Sequence, residues 1–273
     1  MTSAQAWEAK RNTIRTHKGG WVIGKGVMAG EYSLLDDLLG THKLTDVIFL
    51  HCTGRLPEHA FSIWVEGMFI CLAFPDPRIW CNQISALAGN SGCTPTAGIA
   101  TGTMAGDSSL YGPGCTVEAC GFIQDASEFV ANGAAIEEFL AFRKRKGKRT
   151  TPGFARPIAH GDARVDALLR LAHEVGLQPG AYTLLAEQLG ARIGGDNGNA
   201  MNMLGLAAAF LMDNGMNITE INRVFSLCVM AGTHACFSEA ADSPRGSFLP
   251  LRCDDIEYTG VPARAFPAPG EPR

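Results

Sequence analysis

The sequence has little of several things, and each shortage excludes something. Its nine cysteines are scattered, with no C-x-x-C pair among them. That rules out zinc-ribbon spacing and a compact secreted disulfide framework, and no metal site is expected. It implies buried, reduced thiols in a reducing, cytoplasmic compartment. There is no excess of positive charge: the net charge is −4 and the pI is near 6.0, which argues against a general nucleic-acid binder. The opening MTSAQAWEAKRNTIRTHKGGW contains no apolar h-region, so no secretory signal is expected. The most apolar runs, FSIWVEGMFICLAF and MNMLGLAAAFLM, are too short or too interrupted to span a bilayer. They read as buried core helices, and no membrane partner is expected. Strand-like runs are scarce, DVIFLHC being the one short example, and no internal repeat is evident.

Apolar residues are plentiful. At 46% hydrophobic and 18% charged over 273 residues, the chain can bury a large core as one large domain or two modest ones. The spacing is helical nearly throughout. A helix is expected from about Ser33 to Gly40, and a second from about Leu44 to His51, stopped by Gly54. A third follows Pro57. DPRIWCNQISALAG reads as a helix with Pro77 near its first position. TPTAGIATGTMAGD is a small-residue helix whose Gly98, Gly102 and Gly106 recur every four residues, fitting it for very close packing. One or two helices cover VEACGFIQDASEFVANGAAIEEFLAFRKRKGKR. ARVDALLRLAHEVG follows, closed by Gly176, then AYTLLAEQLGARIGG and AMNMLGLAAAFLMDNG. NITEINRVFSLCVMAGTHACFSEA is a final helix, capped by Asn217 with Glu220 completing the capping pattern. The fold class expected is all-α.

Four stretches could carry chemistry. RKRKGKR, Arg143 to Arg149, is either a solvated helix end or a polyphosphate contact. AGNSGCTPTAG, around Ser91, is a tightly turned helix start that suits an anion, or an ordinary capped turn. In DSSLYGPGCTVEACG, Cys115 stands just before a helical run, where the helix dipole would favour a thiolate; a plain core cysteine is the alternative. TTPGFARPIAHGDARV places Arg156, His160, Asp162 and Arg164 within nine residues of glycine- and proline-stiffened backbone. A cation at Arg164, in the first helical turn, needs an anion or Asp162 to offset the dipole, and a plain surface pair of Asp162 with Arg164 is the simpler reading.

Taken in order, these stretches resemble the citrate synthase superfamily, especially its short citryl-CoA lyase-type members. DVIFLHCTGRLP resembles a helix ending in G-E-L-P, NSGCTPT resembles D-H-G-x-T-P-S, and SLYGPGCTVEA resembles S-L-W-G-P-x-H-G-G-A-x-E-A. GFARPIAHGDARV resembles G-F-G-H-P-V followed by D-P-R-A, and NMLGLAAAFLMDNG resembles N-V-D-G-A-L-A-A. VFSLCVMAGTHACFSEA and PLRCDDIEYTG resemble the two closing motifs. The match covers roughly residues 30–260. It implies a citrate synthase-like fold with a large domain, 1–106 and 206–273, and a smaller helical domain, 107–205. It also implies a homodimer that binds an acyl-CoA and a small carboxylate. Coenzyme A would be the acyl carrier, and no cofactor would be tightly bound.

The resemblance to the family's chemistry is poorer. In the family an aspartate takes the α-proton, one histidine stabilises the enol and another polarises the oxoacid carbonyl. Here the aspartate position falls on Leu204, which cannot act as a base. The enol-stabilising histidine falls on Cys115, a weaker donor, the carbonyl-polarising one on Arg156, and the oxoacid-contacting one on Ser91. The carboxylate-binding arginine of D-P-R is kept as Arg164, another falls on Val229, and Arg252 stands for the last. Asn202 keeps the asparagine of N-V-D. The catalytic candidates are therefore Cys115, Arg156 and His160, with His160 as the proton shuttle. Ser91, Arg164, Asn202 and Arg252 would bind substrate, and Arg149, Gly153, Phe154 and Ala155 would lie against coenzyme A. Two readings follow. One is an enzyme that makes or breaks a C–C bond on an acyl-CoA with non-standard residues. The other is a non-catalytic relative that binds a CoA thioester or a carboxylate.

Overall fold

The structure, a computed structural model, describes residues 2–147, 151–154, 161–247 and 252–262. Arg149, Ala155, Arg156 and His160 lie outside them. The described chain is all-α apart from one small sheet. Its helices are α1 (Ser3–Glu8), α2 (Leu44–Thr53), α3 (His59–Leu72), α4 (Trp80–Asn90), α5 (Pro95–Gly106) and α6 (Gly112–Ala131). They continue with α7 (Ile136–Arg145), α8 (Ala163–Glu174), α9 (Ala181–Gly194), α10 (Met203–Asp213), α11 (Ile218–Phe225) and α12 (Met230–Ala241).

The centre of the molecule is α10. Its sequence MLGLAAAFLMD is apolar on every side, and nine of its eleven residues are buried, as a helix without a polar face requires. Helices α6, α8, α9 and α11 pack around it. From α3, Trp64 stacks on Phe210 with ring centroids 4.2 Å apart. Its indole Nε1 donates to the Leu168 carbonyl at 3.1 Å, so the buried polar atom is satisfied. At the far end of α10 the Asp213 carboxylate accepts the backbone N–H groups of Gly180, Tyr182 and Thr183, at 2.9–3.0 Å. It thereby closes the N-terminus of α9, where an anion is electrostatically favoured.

Helices α4, α5 and α12 form a tight trio. The small-residue helix expected from the glycine spacing is α5, started by Pro95 at its first turn with Thr94 as the cap. Gly98, Gly102 and Gly106 are all buried. A Cβ at Gly102 would lie 2.1 Å from Ser85 Oγ and 2.6 Å from the Cys81 carbonyl oxygen; one at Gly98 would lie 2.4 Å from the Phe237 ring. The Ser85 hydroxyl donates to the Gly98 carbonyl at 3.0 Å. Val229, at a position where the resemblance implies an arginine, is buried and faces Gly106.

Several expectations need correction. Residues around Ser33 to Gly40 do not form an α-helix: Tyr32–Ser33 is a strand and Leu34–Leu38 a single π turn. The π turn is five residues long, and the chain turns again at Gly40, φ +81°. Pro77 precedes α4 rather than entering it, because Asp76 and Arg78 form their own ion-paired turn. The last long run is two helices, α11 and α12, separated at Ser226–Val229; the Asn217–Glu220 capping box starts α11 as expected. A three-stranded antiparallel sheet, β1 (Gly19–Val22), β2 (Gly26–Ala29) and β3 (Tyr32–Ser33), lies between α1 and α2 in the chain. Gly19 pairs with Ala29 and Met28 with Ser33, and Ala29 packs with Leu38 and Leu50 in a small separate core.

Candidate functional site

Several helices begin at one place. The cavity there has a volume of about 660 Å³. Ile79 and Trp80 bring the start of α4 to it, Tyr111 and Gly112 that of α6, Arg164 that of α8, and Asn202, Met203 and Leu204 that of α10. Helix N-termini carry partial positive charge and unpaired N–H groups, so their convergence favours an anionic ligand.

The best-organised group in the cavity is Arg164. Its Nε and Nη2 donate to Asp162 at 2.8 and 2.7 Å, a two-point ion pair of the strong kind. Asp162 caps α8 through the Arg164 N–H at 3.2 Å, and it accepts the Met203 N–H at the start of α10 at 3.0 Å. Its side chain is 1% exposed, that of Arg164 25%. The pair is thus no surface ornament. Asp162 offsets the unfavourable position of a cation in a first helical turn, as the sequence demanded, and ties two helix starts together. Burial works to lower the Arg164 pKa, but the hydrogen bonds and charge of Asp162 outweigh it and leave the pKa raised. The guanidinium lies over the Phe74 ring at 5.3 Å, a cation–π contact.

A glycine pair fixes another part of the wall, where Gly153 lines the cavity against Gly205 of α10. Gly153, at φ +85°, lies so close to α10 that a Cβ there would stand 2.7 Å from Gly205 Cα. The Gly153 carbonyl accepts the Asn202 N–H at 2.9 Å. Asn202 caps α10, its Oδ1 accepting from Leu204 and Gly205 at 2.9 and 3.2 Å. Phe154 turns the other way, into the core, 5.2 Å from the Phe122 ring.

Cys115 is half-buried inside α6 rather than ahead of it, so the expected thiolate is not favoured. Burial, and then the charge of Glu118, push its pKa up, with a hydrogen bond from the Gly153 backbone acting the other way. Tyr111, packed edge-on to Trp80 at 5.4 Å, is held protonated by burial, its pKa pushed up to about 12. The Asp76 carboxylate takes Arg78 Nη2 at 2.7 Å and Nε at 3.0 Å; that pairing, with the Arg78 backbone N–H, lowers its pKa to about 2.

The cavity therefore gathers four of the expected residues: Cys115, Gly153, Arg164 and Asn202. Leu204 also lines it, an apolar side chain as expected. Ser91 is the exposed C-cap of α4, and Arg252 is exposed before a short 3₁₀ turn; neither lines the cavity. The sequence reading did not single out Phe74, Asp76, Tyr111 or Glu118. The aromatic residues among them carried no helical-period signal distinct from core packing.

No protein-family model matches the sequence, and no curated protein does. Solved structures do match. The citryl-CoA lyase from Hydrogenobacter thermophilus superposes with a TM-score of 0.79 at 23% identity, over 94% of this chain and 98% of that one. The chain has the citrate synthase superfamily fold. This fold is shared with the ATP citrate lyase from Methanothrix soehngenii, solved in complex with citrate and coenzyme A. There the TM-score is 0.72 at 18% identity, over 96% of this chain and 45% of that one. The citrate synthase from Thermoplasma acidophilum, solved with carboxymethyl coenzyme A and oxaloacetate, gives 0.59 at 16%, over 82% of this chain and 58% of that one. In this citrate synthase-like fold the helix starts that line the cavity are brought together from four separate stretches of sequence, so the site is a product of the fold rather than of any one motif.

Proposed function

We propose that the protein makes or breaks a C–C bond between a CoA thioester and a small oxocarboxylate. The observation that carries this reading is Arg164, clamped by Asp162 at a cavity where several helix N-termini meet. A carboxylate would be drawn to that guanidinium, and the acyl thioester would lie between it and the Gly153 wall. Coenzyme A serves as acyl carrier and co-substrate. The structural neighbours support the reading, since two of them hold coenzyme A or an analogue together with citrate or oxaloacetate. Cys115 and Tyr111, both kept protonated, offer hydrogen-bond donors for the charge that develops on the thioester oxygen. The working unit of the reading is a homodimer.

The test is incubation of the purified protein with a panel of acyl-CoAs, with and without oxaloacetate, and with citryl-CoA. Mass spectrometry would show a condensed or cleaved product or free coenzyme A. No product and no free coenzyme A from any of these sinks the reading.

One observation favours a second reading, a non-catalytic binder: Leu204 presents an apolar side chain where the resemblance implies the base. That reading expects acyl-CoA binding without turnover, lost in Arg164→Ala.

A further inference from the structure

The reaction proposed above needs a proton acceptor, and Leu204 cannot be one. The cavity wall holds two carboxylates among the described residues, Asp76 and Glu118. Asp76 is gripped by Arg78 at two points, and the lowered pKa that follows makes it a poor base. Asp162 is sealed beneath Arg164 and already accepts two N–H groups besides the guanidinium. Glu118 differs from both. It stands on α6 three residues beyond Cys115, hence on the same face, and it is exposed at the cavity wall. Among the described residues no arginine or lysine holds it. Three apart on one helix, the two groups are near neighbours, and after burial the Glu118 charge also acts to raise the Cys115 pKa.

We infer that Glu118 is the general base of this site, a catalytic residue that stands on α6 in place of the base missing from α10. The inference rests on the proposed C–C bond chemistry. In the cleavage direction the Glu118 carboxylate takes the proton from the hydroxyl of a β-hydroxyacyl thioester. The O–H electron pair becomes the second bond of the new ketone, and the adjacent C–C bond breaks. Its pair passes to the α-carbon of the thioester as an enolate, stabilised at the thioester oxygen by the neighbouring donors. Glu118 then returns the proton to the α-carbon. The products are an oxoacid and an acyl-CoA, and the carboxylate ends as it began, with no further reactant. In the condensing direction the same oxygen removes the α-proton.

The experiment follows α-proton exchange of acetyl-CoA in deuterated water by mass spectrometry, together with acetyl-CoA binding by calorimetry. Wild type, Glu118→Gln and Glu118→Asp are compared. The expected result is a loss of exchange of about 100-fold or more in Glu118→Gln, with binding within about threefold of wild type and partial exchange in Glu118→Asp. Glu118 is exposed, so the amide does not threaten folding. Exchange in Glu118→Gln within about threefold of wild type overturns the assignment while leaving the C–C reading intact. A wild type that neither exchanges nor turns over any acyl-CoA overturns both.

Discussion

The α4–α5–α12 trio and the cavity are built on opposite plans. In the trio, glycine removes side chains so that backbones touch. Its tolerances are set by contacts such as Gly102 against the Cys81 carbonyl, 2.6 Å from where a Cβ would be. Around the cavity, helices meet by their ends, and a few charged and polar side chains stand among a mostly apolar lining. The trio resists any added atom. The cavity is held by a few charged and capping groups, and it depends on which atoms they leave free. Packing and the candidate site are thus separable here: the first lies in what was omitted, the second in what was retained.

That separation can be broken in a definite order. The largest effect on stability is expected from Gly102→Val. The added side chain meets Ser85 and backbone of α4 that cannot give way, so a loss of about 3 kcal/mol is expected. Thermal or chemical denaturation would measure it, and affinity for an acyl-CoA, in the fraction that folds, should be unchanged. Next comes Asp162→Ala. It leaves a largely buried guanidinium and the Met203 N–H without their acceptor. Removing one partner of a buried pair costs about 3–5 kcal/mol, and the partial exposure of Arg164 reduces that to about 2 kcal/mol. Unlike Gly102→Val, this change should weaken both the fold and ligand binding, which tests whether the clamp belongs to both plans. A finding that it alters stability alone would break the link between Asp162 and the site. The smallest effect concerns Cys115. Because its thiol pKa is raised above the ordinary value, iodoacetamide should label it far more slowly than the exposed Cys93 at pH 7. The rate should climb only at alkaline pH, as the thiolate forms. Rapid labelling of Cys115 at neutral pH, read by peptide mass spectrometry, would contradict the protonated donor assigned to it.

Much of the scaffold was legible in the sequence because it rests on local signals. The four-residue spacing of Gly98, Gly102 and Gly106 announced a close-packed helix, the Asn217–Glu220 pair a helix start, and Gly54 and Gly176 helix ends. The N-terminal sheet was not legible. Its first strand carries two glycines, and three of its four residues are exposed, so it lacks the alternation that marks a half-buried strand. The break between α11 and α12 was hidden because Phe225, Cys228 and Val229 are all buried, and apolar spacing runs straight across the turn. In the site, Arg164 and Asn202 could be found through their motifs. What Asp162 does could not, since its link to Met203 spans 41 residues. Glu118 lay inside the SLYGPGCTVEA motif, at the glutamate of its closing E-A, but was not singled out there, because a glutamate on a helix face is ordinarily only a solvated charge.

The orientation of the Arg164–Asp162 pair has one more consequence. Asp162 fills the side of the guanidinium formed by Nε and Nη2. The proposed carboxylate would therefore be met at the other edge, where Nη1 has, among the described residues, only the Cys71 carbonyl at 3.5 Å. The approach direction is fixed before any ligand arrives. Under the proposed function a substrate would deliver its carboxylate end-on, along an axis that Asp162 sets and the Phe74 ring flanks. Selection under that proposal would act first on the reach and angle of an acid, and only afterwards on its chemistry.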